Sequence, residues 1–125
     1  MSYKNKTLKA NTRLTKRDFP LSHEDRITYN YARKLSTNEI VEVINVSFEI
    51  MIKGNWHTII RYDSHHGYLH KHIRLTLTEE KTIVERVNAS GTHSDWLTWA
   101  ISDLIENFME YKKTFFENNS IVDNT

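Results

Sequence analysis

Along residues 39–52, EIVEVINVSFEIMI, apolar and polar positions alternate with a period of two. The alternation puts Ile40, Ile44, Val46, Phe48, Ile50 and Ile52 on one face of a strand and Asn45, Ser47 and Glu49 on the other. Fourteen residues exceed an ordinary strand, and the even-numbered Glu42 interrupts the apolar row, so a bend or bulge is expected there. The pattern recurs on both sides of this segment. Residues 26–34 set Ile27, Tyr29 and Tyr31 against Thr28, Asn30 and Ala32. Residues 56–63 set Trp56, Thr58, Ile60 and Tyr62 against His57, Ile59, Arg61 and Asp63. Residues 69–78 set Leu69, Ile73, Leu75 and Leu77 against His70, His72, Arg74 and Thr76, with Lys71 as an exception on the apolar side. Lys53-Gly54-Asn55 and the stretch 64–68 around Gly67 read as turns, and 82–87 as a short further strand.

From about Asp95 to Glu117 the period becomes helical, with Leu97, Ile101, Leu104, Ile105, Phe108, Tyr111 and Phe115 near one stripe and Thr92 or Ser94 as N-cap. A helix must bury its stripe, and the apolar face of the sheet is the surface able to receive it. The expected fold is therefore α+β: an antiparallel sheet of four to five strands with one long C-terminal helix packed on its apolar face. The other face stays in water, and Glu49, His57, Arg61, Asp63, His70, His72 and Arg74 should project from it together.

Charge divides the chain further. Residues 1–17 carry Lys4, Lys6, Lys9, Arg13, Lys16 and Arg17 and no acid, which leaves 11 basic against 16 acidic residues elsewhere. The expected organisation is a basic, flexible arm over 1–19, one domain over 20–117 and a frayed tail over 118–125. Such an arm can follow a phosphate backbone by counterion release. There is no cysteine, which excludes a thiolate nucleophile and suits a reducing compartment such as the cytoplasm. No apolar run approaches the roughly 20 residues that span a bilayer, so a soluble protein without membrane contact is expected.

The chemistry concentrates in residues 59–74, IIRYDSHHGYLHKHIR, which hold four of the seven histidines. Three readings stand beside one another. His70 and His72, two apart on a strand, can reach one ion such as zinc, with Asp63 or His65 completing the set. Alternatively, His70 and His72 can share proton transfers in RNA cleavage by the 2′-hydroxyl, with Arg61 and Arg74 as electrostatic clamps, Asp63 orienting a histidine and Tyr68 stacking on a base. In the third reading the hairpin is structural, a half-buried polar layer or a contact with a partner or a second copy of the chain.

Arg61-Tyr62-Asp63 followed by His70-Lys71-His72 resembles the TumE-like toxins of bacterial and archaeal toxin-antitoxin modules, which show an R-Y-D-N run, histidines, and then H-x-H near a strand end. Ser64 stands here where that family often has Asn, and the spacer to Leu69 is shorter and lacks proline. The resemblance implies a protein acting on RNA or the translation machinery and held inactive by a DNA-binding antitoxin protein. It carries over to Arg61, Asp63, His70 and His72. With the histidine cluster, the expected function is a toxin-like, RNA-directed protein with ribonuclease activity.

Overall fold

The computed structural model describes residues 11–65, 67–78 and 82–121. Six strands, β1 (Thr12–Pro20), β2 (Asp25–Lys34), β3 (Ile40–Ile52), β4 (Asn55–Asp63), β5 (His70–Arg74) and β6 (Thr82–Arg86), precede helix α1 (His93–Asn118). Each strand pairs antiparallel with the next, giving a sheet ordered β1-β2-β3-β4-β5-β6. The α+β class and the helix follow the sequence pattern, but the sheet has six strands rather than four or five. The extra one is β1. Residues 12–19, expected in a flexible arm, pair along their whole length with β2, as does Pro20. Their side chains are nearly all exposed, so hydrophobic patterning carries no trace of this edge strand; backbone pairing makes it. Lys4, Lys6 and Lys9 lie outside the described residues.

The β3–β4 hairpin turns on Lys53 and Gly54, both left-handed at φ 50° and 82°, as a two-residue type I′ turn requires. Two bulges set the faces of the sheet. In β3 the pairing with β2 skips Ile44, so Val43 is buried in place of the predicted Ile44. A second shift beside Glu42 places the irregularity where the interrupted apolar row put it. In β4 the pairing with β3 skips Ile59: Phe48 faces Ile60, but Glu49 faces Thr58 and Ile50 faces His57.

Helix α1 lies over β3 and β4. Thr92 caps it through a reciprocal box with Asp95: its hydroxyl accepts from the Asp95 amide while its own amide donates to the Asp95 carboxylate. Gly91, at φ 97°, leaves room for that carboxylate, which a Cβ would overlap. Leu97, Ala100, Leu104 and Phe115 are buried against Val46, Phe48, Ile50 and Ile60, with Phe108 edge-on to Phe48. The end of the helix is tied down, not frayed. The Asn119 side chain accepts from the Leu77 amide and donates to the Leu75 carbonyl, and Ile121 packs on the core. Asn119 thereby takes the backbone groups that would have continued β5, which stops at Arg74 instead of 78. Residues 122–125 of the expected tail lie outside the description.

The helix-facing side of the sheet is not purely apolar. Asp25 and Lys112 form an ion pair of 3.1 Å, both nearly fully buried. Tyr62 and Lys71, opposite one another across β4 and β5, meet Asp103 and Tyr111 of the helix. The hydroxyls of Tyr62 and Tyr111 both donate to Asp103 Oδ2, and Lys71 Nζ donates to the Tyr111 hydroxyl at 2.6 Å. Lys71, the exception on the apolar side, thus has its partners.

Candidate active site on the open face

Because side chains alternate along a strand, Arg61-Tyr62-Asp63 sends its first and third residues to one side and Tyr62 to the helix. His70-Lys71-His72 does the same. Register completes the arrangement: Asp63 faces His70 and Arg61 faces His72. Four residues from two short motifs therefore meet on the open face, and the two residues between them anchor the same hairpin from behind.

Asp63 is the centre. Its Oδ2 lies 3.0 Å from His72 Nε2 and 3.7 Å from Arg61 Nη2. Its Oδ1 lies 3.6 Å from His70 Nδ1 and accepts from the His65 backbone amide at 3.2 Å. With the carboxylate ionised, His72 carries its proton on Nε2 and donates it to Asp63, which leaves Nδ1 as the basic nitrogen. Desolvation by burial, then the Arg61 charge, hold the His72 pKa below its ordinary value of 6.5, against the opposing pull of Asp63. His72 is accordingly a neutral base at neutral pH.

His72, Arg61 and Arg74 line a groove of about 440 Å³ across the sheet, with Asn45, Ser47, Glu49 and Thr58. Glu49 is engaged by Arg26 at 2.6 Å and by the Thr58 hydroxyl, and Arg26 stacks on Trp56 at 4.0 Å. Glu49, the acid of the groove lining, is thus met by a cation, and Arg61 remains the groove's most accessible charge, with a side chain 47% exposed.

The structure separates the other predicted residues. His57 does not join the site: the Ile59 bulge turns it to the helix side, opposite Ile50, and brings Thr58 to the open face in its place. His70 belongs to the cluster but is only 8% exposed, with Tyr68 tilted against its ring at 4.2 Å. Tyr68 is held in turn by the Arg86 guanidinium at 4.3 Å, so its ring is engaged by protein groups. Arg74 lines the groove while its guanidinium binds the carbonyls of Thr76 and Leu77. His66 lies outside the described residues.

His70 and His72 address separate oxygens of Asp63 rather than one common point. Among the described residues no group of three or more His, Asp or Glu is placed to hold a metal ion. The basic residues of β1 divide as well. Lys16 faces Asn30, which faces the groove residue Asn45, whereas Arg17 and Arg13 face Tyr29 and Arg33 on the helix side. Sequence reasoning missed Thr58 as a groove residue, and only the position of the bulge could have supplied it.

Among the described residues no helix is long and apolar enough to cross a membrane. No curated protein and no solved structure matches this chain. A family model does match, over residues 9–121 and hence over every strand and the helix, so the chain belongs to the family described as Domain of unknown function (DUF7718).

Proposed function

We propose that the open face acts on RNA as a metal-independent, toxin-like ribonuclease. The observation that carries this reading is the Asp63–His72 pair, 3.0 Å apart, with His72 and Arg61 lining one groove. His72 Nδ1 takes the proton of a ribose 2′-hydroxyl as the 2′-oxygen bonds to the adjacent phosphorus. Arg61 stabilises the charge on the phosphorane. The P–O5′ bond then breaks, the departing oxygen takes a proton from water in the open groove, and the imidazolium returns its proton to solvent. The products are a 2′,3′-cyclic phosphate and a 5′-hydroxyl. Asp63 orients His72, and His70, buried under Tyr68, supports Asp63 instead of contacting substrate. The link to TumE-like toxins rests on the motif from Arg61 to His72 and implies control by an antitoxin protein.

The test is cleavage of single-stranded RNA by the purified protein and by His72→Ala, with and without chelator. Cleavage that survives chelator and is lost in the variant supports the reading; cleavage by a well-folded His72→Ala at the wild-type rate rejects it.

A second reading, a non-catalytic docking domain, draws on β6. This edge strand is exposed throughout, with apolar Ile83 and Val84 beside the groove residue Thr82. A partner's strand could extend the sheet there. On this reading Val84→Lys abolishes partner binding, and the wild-type protein shows no RNA cleavage.

A further inference from the structure

The helix lies over β3 and β4 and meets β2 at its start, where Lys112 pairs with Asp25, but beyond Ile27 this side of the β1–β2 flank is only partly covered. On that flank Tyr29 and Tyr31 stand two residues apart and half-buried, with nearly parallel rings, 11° between planes and 6.2 Å between centroids. Three arginines surround them. Arg17 faces Tyr29 across the β1–β2 ladder, Arg13 faces Arg33, and the Arg33 guanidinium sits 5.2 Å from the Tyr31 ring. Arg17 and Arg33 are steadied by hydrogen bonds to the backbone carbonyls of Lys16 and Asn38. Among the described residues none of the three pairs with a carboxylate.

Two features of this arrangement call for an anion. Like charges directly opposed on an antiparallel pair repel one another, and Arg13 and Arg33 are such a pair. A strand exposing parallel aromatic rings between unpaired guanidinium groups also matches what single-stranded nucleic acids need: π-faces for bases and cations along the backbone. A duplex, with its bases stacked inside, could use only the charges.

We infer that Tyr29, Tyr31, Arg13, Arg17 and Arg33 form a binding platform for single-stranded RNA, on the side of the sheet opposite the groove. It deepens the RNA-directed reading by naming where the strand is held. Lys16, on the open face of the same edge strand, lies along the path by which that strand passes round β1 towards the groove.

The test uses the full chain and a fluorescent 2′-O-methyl oligouridylate of about 12 nucleotides, within the usual site size and unable to cleave itself. Anisotropy should show binding that weakens steeply with salt. Arg13→Glu/Arg17→Glu, on an exposed edge, should weaken it by about tenfold or more. Tyr29→Leu/Tyr31→Leu should weaken it by about tenfold, while Tyr31→Phe, which keeps the ring, should not. Because the tyrosines also pack on the core, melting curves accompany each variant, and the arginine pair decides if the leucine pair unfolds. Absence of binding at low salt, a change below about twofold in the arginine pair, or equal affinity for a duplex of the same length overturns the platform. Cleavage is scored separately on unmodified RNA, so a protein that binds but never cleaves refutes only the catalytic reading.

Discussion

Asp63 and Asp103 serve opposite sides of one sheet, and the contrast between them separates a site from a scaffold. Both are little exposed, 13% and 15%, and both have a lysine or arginine within 4.0 Å. Asp103 takes two tyrosine hydroxyls on Oδ2 and the Asn107 amide on Oδ1. Burial, first, and the neighbouring carboxylate push the pKa of Tyr62 and of Tyr111 well above the ordinary 10, so both remain protonated donors at any physiological pH. Neither hydroxyl changes charge near neutrality. Asp63 instead meets a histidine whose titration lies below pH 6.5 and whose ring lines a groove open to solvent. The same acid type is closed off by hydroxyl donors on one side and paired with a titratable imidazole on the other.

Asp63→Asn gives the largest expected difference. It should lower RNA cleavage by roughly 10²-fold or more, because His72 loses the group that fixes its tautomer, while circular dichroism and melting stay near wild type. If Asp63→Asn unfolds the chain, Asp63 belongs with the scaffold and the comparison fails. Asp25→Ala tests the scaffold at its most sensitive point. It leaves Lys112 charged and buried, and should cost about 3–5 kcal/mol in urea denaturation. Tyr62→Phe removes one donor from Asp103 and should cost about 1–3 kcal/mol without changing the pH dependence of cleavage.

The pH profile sharpens the contrast. His72 must be neutral to act as base and its pKa is depressed, so cleavage should be at its plateau at pH 7 and fall as pH drops through a midpoint below 6.5. Arg61→Gln removes a charge that holds that pKa down, so the midpoint should move up; Asp63→Asn removes one that raises it, so residual activity should show a lower midpoint. The smallest effect belongs to the β3–β4 turn. Lys53→Asn places a residue that tolerates positive φ at 50°, and should raise stability by a few tenths of a kcal/mol, measured by melting.

Several parts of this architecture were legible without coordinates. Period-two alternation marked β2, β3, β4 and the core of the β5 segment, and the change to a helical period marked α1, because burial on one face imposes those periods directly. The same parity placed Arg61, Asp63, His70, His72 and Arg74 on one face. Elements and contacts that do not depend on burial of an apolar face were hidden. Strand β1 is made by backbone pairing under exposed side chains. Asn119 and Arg74 end β5 by taking backbone groups near its end. The bulge at Ile59 reverses His57 and Thr58, since one inserted residue inverts every position before it relative to those after. Asp25 and Lys112 are 87 residues apart, and no local pattern tells a buried charge from a solvated one. The sequence by itself determined which residues could share a face, because alternation is local. Only the tertiary structure decided which of them touch, because register, bulges and the seating of the helix are set by contacts between distant segments.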